Sequence, residues 1–442
     1  MSGRPGELAA DSGLVRAIRR WDLTALAVNA IIGAGIFGLP AEVFRRIGVY
    51  SLAAFVVCAL VVTLIILCFA EVSSRFTGTG GPYLYAREAF GPLVGFEVGW
   101  MIWIARITAF AANCNLLIGY LGFFWPAAGS GAGRSAAICA IVFGLTAVNY
   151  TGVRNTADVS NAFTIAKLVP LLLFVAVGLL AIRPGAFALP ARPDFSAFSV
   201  SVLLLVYAFS GFEMATIPAG ETRDPKGDMP RALLRAIAVV AVLYLLIQLV
   251  AIGTLPGLAQ STRPLADAGG RFLGRAGGAI ISAGAVVSIV GNLNVILLVG
   301  ARLPFAMAER GELPRVLTGI HPRFRTPHVA LLVTALVTLV LTLTGTFVYA
   351  VTVSVIARLL SYAATCAALP ALRRKPGAPA AAFKAPAGVT AAIASLLLAA
   401  WLLSNSTRAQ ARDAGIAALL GLVIYAARRT ARKPAPEHAG PS

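Results

Sequence analysis

The sequence predicts an all-α protein that crosses a membrane about a dozen times. Of its 442 residues, 58% are hydrophobic and only 12% are charged, whereas soluble globular domains carry about 25% charged residues. The mean hydropathy is +0.84, and apolar runs recur with the length of roughly 20 residues that a helix needs to cross a bilayer. This composition excludes a soluble globular protein, and the low charge excludes a disordered chain.

Twelve apolar segments, separated by glycine, proline and charged residues, are the predicted spans. The first and the sixth are interrupted by glycines, and the last two are short. A polar stretch after the second span continues as an amphipathic segment to Phe90, which we expect to lie at the membrane interface. The spans cover residues 23–47, 51–75, 93–124, 136–152, 159–182, 199–217, 233–254, 279–308, 329–345, 347–370, 388–403 and 413–428.

Basic residues are concentrated in alternate loops, on the side that also holds both chain ends. The positive-inside rule therefore predicts cytoplasmic termini, which requires an even number of spans. The same bias accounts for the net charge of +19, so we expect no nucleic-acid partner. The five cysteines lie within apolar segments and the three histidines lie in loops or the tail, so we expect no disulfide framework, metal site or other cofactor. Residues 1–22 lack the apolar core of a signal peptide.

Two spans carry glycine-rich interruptions. Span 1 contains NAIIGAGIFGLP at residues 29–40, and span 6 contains YAFSGFEMATIP at residues 207–218. Unpaired backbone groups cost several kcal/mol each in hydrocarbon, so a broken helix survives only where it lines a cavity in the protein. Breaks five spans apart lie in segments of opposite orientation, which predicts an inverted repeat with a binding site near the midplane. The alternative is that the glycines only allow close packing of helices.

The two interruptions offer complementary chemistry. Amide groups at residues 33–37, at the start of the second half of helix 1, form an anion-binding site that the helix dipole strengthens. Carbonyl groups near Tyr207, Ala208 and Ser210, where the first half of helix 6 ends, accept hydrogen bonds from an ammonium group. A ligand with a carboxylate and an amine a few ångströms apart satisfies both sites, and an α-amino acid is the simplest such ligand.

Four groups of motifs occur in a fixed order along the chain. They are IIGAGIF at residues 31–37, GGPY at 80–83 with FGP at 90–92, FSGFE at 209–213 with Glu221 and Asp224-Pro225, and the segment from Arg302 to Ala308 with GELP at 311–314. With these motifs the sequence resembles the amino acid–polyamine–organocation (APC) superfamily of permeases over residues 15–430. The resemblance implies the LeuT-type fold, with 12 transmembrane helices, a 5+5 inverted repeat, discontinuous helices 1 and 6, and two extra C-terminal helices.

The resemblance also implies a division of the chain and a mode of action. Members of the superfamily carry amino acids or related amines by alternating access, as secondary transporters. The implied parts are a cytoplasmic N-terminal segment (1–22), a first repeat with helices 1 to 5 (23–182), a second repeat with helices 6 to 10 (199–370), helices 11 and 12 (388–428), and a cytoplasmic tail (429–442).

Site residues follow from the resemblance position by position. Tyr207 or Phe209 is implied to close over the substrate, and Glu213 matches an acidic position that contributes to gating in some members. The implied binding residues are Ile32, Gly33, Ala34 and Gly35 for the carboxylate, and Tyr207, Ala208 and Ser210 for the amine, with Gly211 beside them.

Lys167 lies nine residues after Asp158, about 13 Å along a helix, and therefore deep in the membrane. Ionisable residues at this depth are costly and mark functional sites. In sodium-independent members of the superfamily, a lysine at the matching place in helix 5 replaces the sodium ion of sodium-coupled members. Lys167 is thus implied to couple transport to a proton gradient rather than to sodium. The alternative is a static cation that holds helix 1 through backbone carbonyls.

Arg106 in span 3 and Arg358 in span 10 are also deep, and they need acidic partners. Glu71 and Glu213 are the acidic residues nearest the membrane interior. We predict an Arg106–Glu213 or an Arg358–Glu71 ion pair with a structural or gating role, and the sequence leaves the choice open. Three polar residues of spans 3 and 8 either line the pocket or join helices by hydrogen bonds, namely Asn113, Ser288 and Asn292.

The sequence thus predicts an inner-membrane amino acid permease that works as a proton symporter. An exchanger or exporter of amines or polyamines is the nearest alternative, but Glu213 is the only obvious pocket carboxylate, and Arg106 favours a neutral or anionic substrate. A membrane-embedded enzyme would need intramembrane histidines or paired carboxylates, and a channel would show no saturable counterflow. The expected partners are the small-molecule substrate and the lipid bilayer, with a monomer and a homodimer both open.

Overall fold

In the computed structural model, residues 20–76, 81–151, 157–188, 191–216 and 224–431 are described. Within these ranges the backbone forms α-helices joined by turns and short 3-10 segments, and it contains no β-strand. Most of the predicted terminal segments 1–22 and 429–442, together with Gly80 and Glu221, lie outside the described residues. The helices are α1 (Arg20–Ile31), α2 (Gly35–Ile47), α3 (Ser51–Ser73), α4 (Pro82–Phe90), α5 (Pro92–Leu121), α6 (Gly131–Thr151), α7 (Ala157–Gly178), α8 (Phe195–Phe209), α9 (Phe212–Ala215), α10 (Pro225–Thr254), α11 (Pro264–Glu309), α12 (His328–Thr344), α13 (Phe347–Arg374), α14 (Gly388–Ser404) and α15 (Arg408–Ala431).

Eight helical stretches of the described chain are long and apolar enough to cross a membrane. Three shorter apolar helices accompany them, at Lys167–Ala181, His328–Thr344 and Gly388–Ser404. Each predicted apolar segment lies largely on one helix, or on one of the two pairs α1–α2 and α8–α9. The prediction of an all-α protein with many apolar helices is therefore confirmed.

The outer surface of the helix bundle is apolar. On α6, α12 and α15, the side chains of Phe143, Leu336 and Val423 are 62%, 63% and 63% exposed. Contact of so much apolar surface with water is unfavourable, whereas lipid tails are as apolar as these side chains. The chain is accordingly a multi-pass integral membrane protein.

The interior of the bundle is organised around α5, which packs against α11, α12, α13 and α15. Most residues of α5 between Gly95 and Tyr120 are buried. α3 packs against α8, α10 and α13, and the ring of Phe69 on α3 contacts those of Phe212 and Tyr362 at centroid distances of 5.1 and 5.5 Å. These helices surround the two interrupted helices.

Both helix interruptions that the glycines predicted are present. The first break (residues 32–34) separates α1 from α2, and the second break (residues 210–211) separates α8 from α9. Gly211 has a φ of +113°, a conformation that only glycine adopts readily. A Cβ atom at Gly35 would lie 2.9 Å from the Cα atom of Ala208. The start of α2 therefore passes directly against the end of α8.

Helix α11 is longer than the predicted span 279–308, because it already begins at Pro264. The Asp267 carboxylate accepts a hydrogen bond from Arg263 Nε over 2.9 Å, which stabilises the first turn, and proline is favoured at this position of a helix. The helix changes direction at Gly274, where φ is +67°. The apolar pattern marked only the part of α11 beyond this change of direction.

The amphipathic segment that ends at Phe90 forms helix α4. Arg87 Nη1 donates to Glu312 Oε1 over 2.9 Å, and the Tyr83 hydroxyl lies 3.1 Å from the same carboxylate. These contacts join α4 to the loop that follows α11.

Candidate functional site

A cavity of about 360 Å³ lies where the two breaks meet, which is within the usual range for small-molecule sites. Both breaks and one face each of α5, α7, α11 and α13 line this cavity. Glycines at both breaks bring bare backbone to its wall. The polar and charged lining residues are Asn29, Arg106, Asn113, Lys167, Tyr207, Ser210, Ser288, Asn292, Asn294 and Arg358.

The first break leaves amide groups unpaired at the start of α2. Of the amide groups predicted at residues 33–37, two are already paired, because Gly33 N donates to Ile31 O over 2.7 Å and Phe37 N donates to Ala34 O over 3.0 Å. The N–H groups of Gly35 and Ile36 belong to the first turn of α2, and donors of a first turn have no partner inside their helix. With the positive end of the helix dipole these N–H groups form an anion-binding site. Gly33, Ala34 and Gly35 line the cavity beside it.

The second break presents carbonyl groups that differ in how far they are satisfied. Tyr207 O accepts from Ser210 Oγ over 2.7 Å and from Ser210 N over 3.3 Å, and Ala208 O lies 3.2 Å from the Tyr244 hydroxyl oxygen. A carbonyl oxygen has two lone pairs, so Ala208 O can accept a further hydrogen bond from a ligand ammonium group, whereas Tyr207 O can do so only in place of the Ser210 hydroxyl. Ser210 and Gly211 line the cavity, whereas the Ala208 side chain is buried behind it.

Tyr244 of α10 connects the two breaks. Its hydroxyl oxygen lies 3.2 Å from Ile31 O and 3.2 Å from Ala208 O, and its side chain is fully buried. Nothing in the apolar run around Tyr244 indicated this position, because its partners are backbone carbonyls that become available only once the helices are broken.

Lys167 of α7 binds the carbonyl side of the first break. Its Nζ atom donates to Asn29 O over 2.6 Å and to Ile32 O over 2.7 Å, and the residue is 7% exposed. These charge-assisted hydrogen bonds satisfy carbonyls that α1 leaves unpaired at its end. Ile32, predicted to hold the substrate carboxylate, thus supplies a carbonyl to Lys167, and its side chain is fully buried.

Glu213 of α9 is held by a network behind the second break. Its carboxylate pairs with Arg358 and accepts hydrogen bonds from the Tyr362 hydroxyl over 2.7 Å and from Gly211 N over 2.9 Å. Arg358 and Tyr362 are one helical turn apart on α13, so both reach the same carboxylate. The prediction of an Arg106–Glu213 ion pair is therefore wrong, because Glu213 forms its ion pair with Arg358 of α13.

The predicted Arg358–Glu71 pair is also wrong. Glu71 of α3 pairs with Arg373 over 2.6 Å and with Arg75 over 3.2 Å, and it accepts from Ala385 N over 2.9 Å. Arg373 stands about 22 Å beyond Arg358 along α13 at 1.5 Å per residue. α13 thus carries two arginines at different depths. Which glutamate each of them meets is determined by how α13 packs against its neighbours, and the sequence alone does not reveal this packing.

Arg106 of α5 lines the cavity and forms no hydrogen bond to a carboxylate of the described chain. It is 4% exposed, and its Nη2 atom contacts Met214 Sδ. Its Nε atom has no hydrogen-bond partner among the described residues. Glu213 is close enough for an electrostatic interaction with Arg106, although the Glu213 hydrogen bonds go to other groups.

A polar network joins α5, α8 and α11 at the cavity wall. The Tyr207 hydroxyl donates to Asn113 Oδ1 over 2.5 Å, and Asn113 Nδ2 donates to Asn292 Oδ1 over 2.8 Å. Asn113 and Asn292 therefore line the cavity and join helices at the same time, so both sequence interpretations apply. Ser288 also lines the cavity, and its hydroxyl group has no hydrogen-bond partner within the described ranges.

Of the two aromatic residues predicted to close over a substrate, only Tyr207 lines the cavity. Phe209 is fully buried and packs against Phe55 and Tyr244, with ring centroids 6.2 and 5.2 Å apart. Residues two apart on a helix with 3.6 residues per turn point to nearly opposite sides, which explains the difference.

Among the lining residues that had not been predicted are Asn294, Asn29 and Met214. Asn294 Oδ1 accepts from Asn149 Nδ2 over 2.8 Å, and a second asparagine so close to Asn292 in an apolar span was a usable signal. Asn29 contributes through its backbone and Met214 through its sulfur, and neither feature stands out in a sequence. In the part of the chain that the structure describes, no group of three His, Cys, Asp or Glu side chains forms a metal site.

Comparison with known proteins identifies the type of protein that has this architecture. A family model described as amino acid permease matches residues 18–425. The chain is 29% identical to the branched-chain amino acid permease BcaP of Bacillus subtilis, over 73% of this chain and 74% of that protein. It is 31% identical to the serine/threonine exchanger SteT of the same organism, over 73% and 75% of the two chains. The methylthioribose transporter of Bacillus subtilis is 29% identical, over 71% and 72%.

Proposed function

Because the chain belongs to the amino acid permease family, whose members are transporters, we propose that it carries amino acids by alternating access with coupling to protons. The observation that carries this proposal is the cavity between the two breaks. Gly35 at the start of α2 and Tyr207 and Ser210 at the end of α8 line the same small space. An α-amino acid matches the first with its carboxylate and the second with its ammonium group.

In the proposed binding mode, backbone groups hold the part that all amino acids share. The carboxylate binds the N–H groups of Gly35 and Ile36, and the ammonium group binds the carbonyl of Ala208 and, in place of the Ser210 hydroxyl, the carbonyl of Tyr207. The Tyr207 ring covers the head group from α8. The substrate side chain then extends toward α5 and α11, whose polar residues include Asn113.

The proposed architecture is the twelve-helix arrangement with an inverted repeat, residues 23–182 and 199–370. Two observations support this arrangement. The first helix of each proposed repeat is broken, and both breaks line the same cavity. α14 and α15 follow as the two additional helices. The excess of basic residues in alternate loops supports cytoplasmic termini in a bacterial-type inner membrane.

Lys167 is the proposed proton-coupling group. Protonated, it binds Asn29 O and Ile32 O by charge-assisted hydrogen bonds, and loss of the proton weakens these bonds and frees the end of α1. Proton release on one side of the membrane and uptake on the other thus accompany the movement of α1. A static cation would make the same two contacts, and replacement of Lys167 by alanine separates the two roles.

The proposal is tested with purified protein in proteoliposomes. We expect saturable uptake of one or a few of the twenty amino acids, with accumulation when the external pH is lower than the internal pH. Replacing sodium by potassium on both sides is expected to leave uptake unchanged. Flux that does not saturate and shows no counterflow would indicate a channel and contradict the proposal, as would the absence of transport for every amino acid.

Exchange is a second candidate, favoured by the 31% identity to a serine/threonine exchanger. An exchanger needs an amino acid inside the vesicle, whereas a symporter fills an empty vesicle. Uptake that appears only in preloaded vesicles, without response to a pH gradient, would assign exchange and remove the proton-coupled part of the proposal.

A further inference from the structure

The charged groups in the cavity wall are all cationic within the described part of the chain. Arg106, Lys167 and Arg358 line the cavity, and no carboxylate does. Glu213 lies directly behind the wall, where it interacts electrostatically with both arginines. Two guanidinium groups therefore share one carboxylate, which leaves a net positive charge at this end of the cavity.

Two of the three cations have good hydrogen-bond partners. Lys167 binds two backbone carbonyls. Arg358 pairs with the Glu213 carboxylate, and its Nε atom lies 3.4 Å from Ser354 Oγ. Both groups are thus compensated by acceptors that belong to the protein.

Arg106 differs from the other two cations. A guanidinium group has five N–H donors, and a thioether sulfur is a weak acceptor. Met214 Sδ is the acceptor for Arg106 Nη2, and Nε is buried without a partner among the described residues. With 4% of its surface exposed, Arg106 is a buried cation at the cavity wall that has a single weak acceptor within the described ranges. Such a group is costly unless an anion completes it.

The place of Arg106 fits a substrate side chain rather than the amino acid head group. Arg106 lies one turn, about 4.5 Å along α5, before Ala109, whose carbonyl oxygen lies 3.1 Å from the Tyr207 hydroxyl oxygen. It also contacts Met214, beyond the second break. Backbone groups of the two breaks already match the α-carboxylate and the ammonium group of the substrate. Arg106 is therefore available to bind a second anionic group, at the end of the substrate side chain.

We propose that Arg106 makes this transporter selective for acidic amino acids, whose side-chain carboxylate it binds. This inference rests on the proposed function, because it assumes that the head group binds at the two breaks. The planar guanidinium suits a carboxylate, which it can bind through two parallel hydrogen bonds. Bound in this way, the substrate satisfies Arg106 and cancels the net positive charge beside Glu213. A neutral isostere leaves both uncompensated.

The test uses two pairs of amino acids that differ only in the side-chain charge, glutamate with glutamine and aspartate with asparagine. In proteoliposomes of the wild-type protein, we expect half-maximal uptake of the acid at a concentration at least about tenfold lower than that of its amide, because a site built for a polar group rejects an analogue that lacks it. Arg106→Gln should reverse this preference. Arg106→Lys should keep part of it, since the charge remains without the two parallel hydrogen bonds.

The matched control is Arg412→Gln, which removes an arginine whose side chain is 67% exposed on α15 and should leave the preference unchanged. Stability of the detergent-purified protein gives an independent measurement. We expect glutamate or aspartate to raise the Tm of the wild-type protein more than the amides do, and this comparison holds even if Arg106→Gln does not fold.

The outcomes separate the two proposals. Uptake in which the amides match or exceed the acids in the wild-type protein would overturn the role of Arg106 and leave the proposed function intact. Failure of all amino acids to bind or to be transported would overturn the proposed function itself. An inorganic anion such as chloride could bind Arg106 in place of a substrate carboxylate. If neutral amino acids are transported only when chloride is present, and not with gluconate, Arg106 binds that anion and the inference is wrong.

Discussion

A Cβ atom at Gly211 would lie 2.2 Å from the carbonyl oxygen of Ala30, so the second break is in direct contact with the end of α1. Gly211 has the left-handed φ of +113° that this approach requires. The two breaks therefore form one packing unit. Movement of α1 during a transport cycle has to be accommodated by the second break, whether or not a substrate is bound between them.

Gly211→Ala tests this contact. The new methyl group meets the Ala30 carbonyl, and an L-residue in the left-handed region costs roughly 1–2 kcal/mol. We expect a lower Tm and loss of uptake. Gly144→Ala is the control, because a Cβ there meets nothing within 4 Å on α6. Normal uptake and stability of Gly211→Ala would show that the backbone approach is unimportant.

Lys167→Ala separates proton coupling from a static role. Without the ammonium group, Asn29 O and Ile32 O lose their partner, and a proton carrier is gone. We expect accumulation driven by a pH gradient to disappear while counterflow in preloaded vesicles persists at a reduced rate. Lys375→Ala removes a lysine that binds the Glu88 carbonyl outside the cavity and should accumulate normally. If Lys167→Ala still responds fully to the pH gradient, Lys167 is only structural.

Tyr244→Phe removes the hydroxyl between the two breaks and keeps the ring. Loss of one buried hydrogen bond is expected to cost about 1 kcal/mol of stability. The apparent affinity for the substrate should fall as well, because Ala208 O is no longer oriented. Tyr349→Phe is the matched control, since its hydroxyl binds Asp413 away from the cavity. Equal effects of the two variants on affinity would argue against a role for Tyr244 at the site.

Glu213→Gln leaves two buried guanidinium groups without their shared carboxylate. Breaking a buried ion pair in this way typically costs about 3–5 kcal/mol, so we expect a marked fall in Tm. Removing the opposing charge with the double variant Glu213→Gln/Arg358→Met should restore part of the loss. Thermal unfolding in detergent measures both. A single variant as stable as the wild-type protein would mean that the Arg358–Glu213 pair is not a stabilising element.

The helix breaks could be predicted from the sequence because their cause is local. Gly33, Gly35 and Gly211 allow the helices to unwind. An unwound backbone in the hydrocarbon core of the membrane is unfavourable unless it lines a cavity in the protein. The apolar run lengths likewise predicted the helices. The first part of α11 was not predicted because its residues before Gly274 are small and partly charged. Helix formation there is supported by Pro264 at the first position and by the Arg263–Asp267 ion pair rather than by an apolar pattern.

Side-chain partners could not be predicted, because they depend on which faces of distant helices meet. Arg358 and Arg373 lie on the same helix, yet one meets Glu213 of α9 and the other meets Glu71 of α3. Tyr244 illustrates the same limit, since its partners are carbonyls of two other helices. The composition of the sequence and the spacing of its residues do not indicate which side chains of distant helices come into contact.

The central claim is that backbone groups of the two breaks bind the carboxylate and the ammonium group of one amino acid. The most direct measurement is equilibrium binding to purified wild-type protein of the amino acid that it transports best, compared with two analogues. One analogue replaces the α-carboxylate by a methyl ester, and the other replaces the α-amine by hydrogen. We predict that either change abolishes saturable binding. Binding of either analogue with the affinity of the parent amino acid would contradict the claim.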